Sequence, residues 1–159
     1  MSIEKARTYL QAFGAADKIL EFSESSATVE LAAHALGCEP SRIAKSLTFN
    51  VGGEPVMLVA AGDVKIDNRR FKEFFGVKAK MLSPDEVETL IGYAIGGVCP
   101  FGVNDGVKVY LDESLKRFDV VYPAAGSASS AVKLTIPELE AYSGSLGWVN
   151  VCKLPEPVQ

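Results

Sequence analysis

Ser46-Leu-Thr-Phe-Asn50 and Pro55-Val-Met-Leu-Val-Ala60, joined through Gly52-Gly53, decide the fold class of this chain. Two strand-like runs around paired glycines predict a hairpin, because the tight turn that matches strand twist needs positive φ angles. Upstream, Thr28 is placed to N-cap a helix through Leu31, Ala35 and Leu36, with Gly37 as its C-terminal glycine. Glu39-Pro-Ser-Arg-Ile-Ala44 then reads as a helical turn, which sets Lys45 at the mouth of the first hairpin strand. Further back, Ile3, Ala6, Tyr9, Leu10 and Phe13 share one helical face that Gly14 ends, and Lys18–Phe22 reads as a strand.

Downstream of the hairpin, Asp67 or Asn68 can cap a helix through Phe71, Phe74 and Phe75 that ends at Gly76. Lys80-Met-Leu82 reads as a short strand, and Ser83-Pro-Asp-Glu86 carries the capping-box signature of a helix running to Gly92. Strands are expected at Val107–Leu111, Asp119–Tyr122 and Ala131–Leu134, and Thr135-Ile-Pro-Glu138 opens a last helix. The tail Leu154-Pro-Glu-Pro-Val-Gln159 suits a short extended end. Helices and strands mix without βαβ alternation, so the class is α+β with a mostly antiparallel sheet, in a single domain over residues 1–159.

Of the 159 residues, 48% are hydrophobic and 23% charged, a globular profile. A chain of this length buries roughly 70% of its unfolded surface, which supports a core without disulfides or metal. Cys38, Cys99 and Cys152 are widely spaced and contain no CxxC pair, so they indicate neither a disulfide framework nor a zinc site and read as reduced cytoplasmic thiols; no cofactor is expected. The charged N-terminal stretch does not resemble a signal peptide, and the longest apolar run, Val56–Ala61, falls far short of the ~20 residues of a membrane span. Net charge −4 excludes a protein that coats nucleic acid indiscriminately. Yet Lys65, Arg69, Arg70, Lys72, Lys78 and Lys80 face only Asp67 and Glu73 across residues 65–80, a local +4 that predicts a small basic face.

Three features could carry chemistry. The segment Gly96-Gly-Val-Cys-Pro-Phe-Gly102 lets a ligand approach main-chain N–H groups, as an oxyanion hole or phosphate cradle would. It lacks the GK[ST] ending of a P-loop. Lys45 can present a fixed ammonium to a phosphate or carbonyl oxygen. Cys99 is a nucleophile by type, but the single histidine, His34, is its only histidine partner in sequence, and no orienting third group can be named. Asp63 and Asp67 read as a strand end and a helix cap rather than a carboxylate pair.

Four stretches, Ala32-Ala-His-Ala-Leu-Gly37, Arg42-Ile-Ala-Lys-Ser-Leu47, Ala61-Gly-Asp-Val-Lys-Ile-Asp67 and Gly92-Tyr-Ala-Ile-Gly-Gly-Val-Cys-Pro-Phe-Gly102, resemble in order and spacing the YbaK/EbsC aminoacyl-tRNA deacylases, the prolyl-tRNA-synthetase-associated editing domains. The resemblance covers nearly the whole chain. It implies a compact, barrel-like mixed sheet with helices. It also implies an editing pocket lined by Lys45 and Gly96, with the N–H groups around Gly96 and Gly97 assigned to the substrate carbonyl. Substrate contacts are expected from Thr28, Val98, Cys99, Pro100, Phe101 and Gly126, and tRNA contacts from Lys65, Arg69, Arg70 and Lys72. The implied reaction is hydrolysis, in trans, of the ester of a mischarged tRNA, often a proline tRNA carrying cysteine, alanine or another small wrong residue. A synthetase is a further implied partner. Cys99 departs from the serine or proline common in relatives, which bears on the substrate and not on the reaction class. A binding module using the same basic face and loop, and a thiol enzyme acting through Cys99, are the competing readings.

Overall fold

In this computed structural model, which describes residues 2–155, the hairpin stands at the centre. Helix α1 (Ser2–Gln11), strand β1 (Ile19–Glu21) and helix α2 (Val29–Leu36) lead to strands β2 (Ile43–Val51) and β3 (Glu54–Ala61). Gly52 and Gly53 both take positive φ, 60° and 90°, and Asn50 Oδ1 accepts from the Gly53 N–H at 2.9 Å, so the turn closes as the paired glycines require. Strand β4 (Lys65–Ile66), helix α3 (Asn68–Phe75) and a single helical turn α4 (Pro84–Glu86) follow. Strands β5 (Lys108–Asp112), β6 (Val120–Pro123), β7 (Ser130–Val132) and β8 (Leu134–Thr135), helix α5 (Ile136–Ser143), and strands β9 (Trp148–Val149) and β10 (Cys152–Lys153) complete the chain.

Six strands form one curled sheet, a half-barrel in the order β8-β6-β2-β3-β5-β9. Two small antiparallel pairs, β1 with β7 and β4 with β10, stand beside it. Antiparallel ladders join β2 to β3 and β6 to β8, while β2–β6, β3–β5 and β5–β9 run parallel. The α+β class and barrel-like shape are as expected, with parallel pairing outside the hairpin that only tertiary contacts specify. Met57 through Ala61 are fully buried, so β3 is covered on both faces, and that is why its sequence is a continuous apolar run instead of an alternating one. Phe71 of α3 packs on Phe49 of β2 with ring centroids 4.8 Å apart.

Several local expectations change. Strand β2 begins at Ile43 because β6 pairs with Ile43 and Ala44, so Lys45 lies inside the strand and only Pro40–Arg42 turn helically. Lys80–Leu82 forms no strand; Met81 makes one bridge to Phe49. The helix capped by Ser83 changes after α4 into a wide π turn, Val87–Ile91, which buries Val87 and Ile91 together before Gly92 ends it. The anticipated strand Ala131–Leu134 is broken at Lys133 into β7 and β8. The caps at Thr28, Asp67, Ser83 and Thr135 hold, each accepting from a backbone N–H three residues on. The anticipated extended tail lies, from residue 156 on, outside the described residues. No helix among the described residues is long and apolar enough to cross a membrane.

Candidate active site

One edge of β2 is hydrogen-bonded to β3 along its length. The other edge is taken by β6 at Ile43 and Ala44, and by the 80–82 segment at Thr48–Asn50, where Leu82 N donates to Thr48 O at 3.1 Å and Asn50 N to Lys80 O at 2.8 Å. Lys45, Ser46 and Leu47 lie between these two pairings with no ladder partner on that side among the described residues. A cleft of about 230 Å³ lies against this gap. Lys45 and Ser46 form one wall, Thr28, Val29 and Ala32 at the start of α2 another, and Gly96, Val98, Ala124 and Ala131 close it.

Lys45 is half-buried, and its ammonium donates to the carbonyls of Gly62, at 3.4 Å, and Val64. Two of its three donors are thus committed, and the third has no partner among the described residues. Burial lowers its pKa from the ordinary lysine value, partly opposed by Cys152, Asp63 and Glu30. Gly62 is required sterically, because a Cβ there would lie 2.1 Å from the Pro40 carbonyl oxygen and 2.7 Å from Val29 Cγ1. The turn that anchors Lys45 is therefore pressed against the element that walls the cleft.

The glycine loop divides into a half that faces the cleft and a half that belongs to the core. Ile95, Gly96 and Val98 line the cleft; Ile95 is 63% exposed. Gly96 has φ +96°, a conformation that glycine adopts without strain. Gly97 is buried, and its N–H donates to Ala94 O at 3.1 Å, so it is not a free donor for a substrate oxygen. Its role is close packing, since a Cβ at Gly97 would lie 2.5 Å from the carbonyl oxygen of Gly126. Cys99, Pro100, Phe101 and Gly126, expected as substrate contacts, are buried and are not among the residues that line the cleft. Thr28 and Val98 do line it.

Ser46, Ser26, Tyr122, Ala124, Ser130 and Ala131 line the cleft without having been singled out in sequence. Small and hydroxylated residues carry no sequence signal of their own; only the fold gathers them. Ser130 Oγ is hydrogen-bonded to Ser127 Oγ at 2.6 Å, whereas the buried Ser46 Oγ has no partner among the described residues.

Residues 23–142 match the family model described as the aminoacyl-tRNA editing domain. The chain belongs to this family. It is 52% identical over 154 residues, 96% of this chain and 98% of the relative, to the uncharacterised YwhH of Bacillus subtilis (strain 168). It is 30% identical over 116 residues, 71% of this chain and 70% of the relative, to EbsC of Enterococcus faecalis (strain ATCC 700802 / V583), named as a candidate Cys-tRNA(Pro)/Cys-tRNA(Cys) deacylase. Among solved structures, one described as a candidate trans-editing enzyme for prolyl tRNA synthetase superposes with a TM-score of 0.86 at 30% identity, covering 96% of this chain and 97% of that one.

The thiol of this editing domain's loop is unsuited to nucleophilic work. Cys99 is fully buried beside Tyr93, and burial pushes its pKa up to about 12, while His34 is exposed on α2. Cys99→Ser should retain most of any deacylase activity; a loss of about 10⁴-fold or more, the scale of deleting a covalent nucleophile, would overturn this. The measurement is deacylation of mischarged tRNA by the two proteins side by side.

On the basic face, Lys65, Arg69, Arg70 and Lys72 are all exposed. Arg69 pairs with Glu73 at 3.1 Å, and Arg70 donates to the carbonyl of Cys152 at 2.9 Å and lies 3.8 Å from Asp67. Arg70 is thus partly a structural tie between α3 and β10. Lys65 stands opposite Lys153 in the β4–β10 register, which adds a basic residue outside the 65–80 segment. Lys65 adds a small opposing charge at Lys45.

Proposed function

We propose that this domain hydrolyses the ester of mischarged tRNA in trans, with a proline tRNA carrying cysteine, alanine or another small wrong residue as substrate. The observation that carries the reading is the half-buried Lys45 ammonium, held on the open stretch of β2 in the same cleft as the Gly96 backbone. The cleft, at about 230 Å³, is below the roughly 300–1,000 Å³ of pockets that enclose drug-sized ligands, which suits an aminoacyl group better than a whole nucleotide. Similarity to EbsC and to the trans-editing enzyme supports the substrate class and prolyl-tRNA synthetase as a partner.

An aminoacyl ester is already reactive, so positioning and stabilisation of the developing oxyanion supply much of the acceleration. Lys45 and the N–H of Gly96 are the donors in this reading. Water, helped by a ribose hydroxyl, attacks the carbonyl carbon; in a cysteinyl ester the substrate's own thiol can attack instead, and the cyclic thioester so formed is then opened by water. The bond to the terminal ribose breaks, the ribose oxygen takes a proton, and the amino acid leaves. Deacylation of a panel of mischarged tRNAs tests this, with the cysteinyl and alanyl esters of proline tRNA expected to fall fastest. Hydrolysis no faster than in buffer across the panel would reduce the domain to a binding module.

The basic face would guide the acceptor stem. Replacing Lys65, Arg69 and Lys72 by glutamate should weaken tRNA binding and flatten its salt dependence, each lost phosphate contact lowering the slope by about 0.7–0.9. Binding measured from low to high salt checks this, and an unchanged slope would return the face to ordinary solvated surface.

A further inference from the structure

The carbonyls of Gly62 and Val64 that orient Lys45 belong to the short turn between β3 and β4, so whatever fixes that turn fixes the ammonium. Asp63 lies between them. Its carboxylate is gripped by Arg117 through two bonds, Nη1 to Oδ2 at 3.0 Å and Nη2 to Oδ1 at 2.6 Å. Arg117 Nε donates to Ser114 O at 2.9 Å, and its guanidinium lies 4.8 Å from the centre of the Phe118 ring. On the other side of Gly62, the Ala61 N–H donates to Ser114 Oγ at 3.2 Å. Ser114 is itself held, its N–H donating to Asp112 Oδ2 at 2.9 Å, while Asp112 Oδ1 accepts from Val151 N at 3.1 Å. Asp112 is fully buried.

Both flanks of Gly62 are therefore tied to one five-residue helical turn, Glu113–Arg117. An exposed ion pair contributes little, but this one is forked, has a third anchor on Arg117, and has side chains only 32% and 23% exposed. The guanidinium holds the Asp63 carboxyl below the ordinary aspartate value.

We infer that Asp63 and Arg117 are positioning residues, a latch between the β3–β4 turn and the Glu113–Arg117 turn that aims the Lys45 ammonium into the cleft. This rests on the deacylase reading for its kinetic consequence, and on geometry alone for its structural one. The charged or titratable groups acting on Lys45 are Asp63, Cys152, Glu30 and Lys65.

The test compares Asp63→Asn, Arg117→Gln and Arg117→Lys with the wild type in two readouts. The first is single-turnover deacylation over a range of enzyme concentrations; the second is the Lys45 ¹³Cε resonance followed through a pH titration. Asp63→Asn and Arg117→Gln should each slow the chemical step about ten- to a hundredfold, the scale of misplacing a catalytic group from a distance. Half-saturation should stay within about threefold, since binding contacts are untouched. Arg117→Lys, which keeps the charge without the fork, should restore the rate in part. The midpoint of the lysine titration should move in Asp63→Asn alone. Losing the Asp63 charge lowers the Lys45 midpoint, whereas Arg117 is not among the groups that act on it. Equal slowing with unequal titration shifts is the signature of position over field. Wild-type rates in folded Asp63→Asn and Arg117→Gln proteins would overturn the latch, as would slowing confined to the variant whose titration moves. If the wild type shows no deacylase activity, the proposed function falls and the resonance decides alone: a Lys45 ¹³Cε chemical shift unmoved in Arg117→Gln would overturn the latch.

Discussion

Lys45→Ala should lower the single-turnover deacylation rate by about 10–150-fold, because one hydrogen bond from a charged group contributes about 1.5–3 kcal/mol. A larger loss is expected if the bond forms mainly in the transition state. The protein should stay folded. The ammonium is held by two carbonyls at a cleft wall, and removing it also removes the cost of keeping a charge half-buried. Lys45→Arg should recover little, because a planar guanidinium cannot occupy the place where a compact ammonium meets Gly62 and Val64. Activity carried by the protonated lysine falls as pH rises through its folded pKa. Burial brings that loss to lower pH than an exposed lysine would show. Wild-type rates in a folded Lys45→Ala protein, checked by a thermal melt, would sink the site.

Gly97→Ala should damage the fold and not only the reaction. The added Cβ would lie 2.5 Å from Gly126 O, 2.6 Å from Gly126 C and 2.8 Å from Ser127 N, all backbone atoms that cannot swing aside. Overpacking of this kind costs about 1–3 kcal/mol, which at roughly 2–4 °C per kcal/mol for a chain of this size lowers Tm by about 2–12 °C. Activity should fall with it, because Ser127 is bonded to Ser130 on the cleft wall. Gly96→Ala makes the contrast. Its Cβ would meet only Ala128 Cβ at 3.4 Å and Ala27 Cβ at 3.7 Å, so its cost lies in the positive φ and in the shape of the cleft. An unchanged Tm for Gly97→Ala would show that the loop and the Gly126 turn do not pack as closely as described. Sequence alone treated the two glycines as equivalent donors; their different neighbours separate them.

What the sequence determined by itself is what short-range chemistry encodes. Paired glycines between apolar runs specified the hairpin, and Thr28, Asp67, Ser83 and Thr135 specified helix starts, since a cap and its N–H lie within three residues. The motifs around Lys45 and Gly96 marked two sides of the cleft through likeness to a known family. The two-residue strands β9 and β10 escaped, because so short a stretch carries no alternation to read. Only the tertiary structure decided that Cys99, Pro100 and Phe101 belong to the core, that Gly97 packs on Gly126, and that Ser46 and Ser130 reach the cleft. It alone joined Asp63 to Arg117, 54 residues later, through a turn that presses on Lys45. Such pairings depend on which strand edges stay open and which backbones touch, and those distances form only after the sheet has curled.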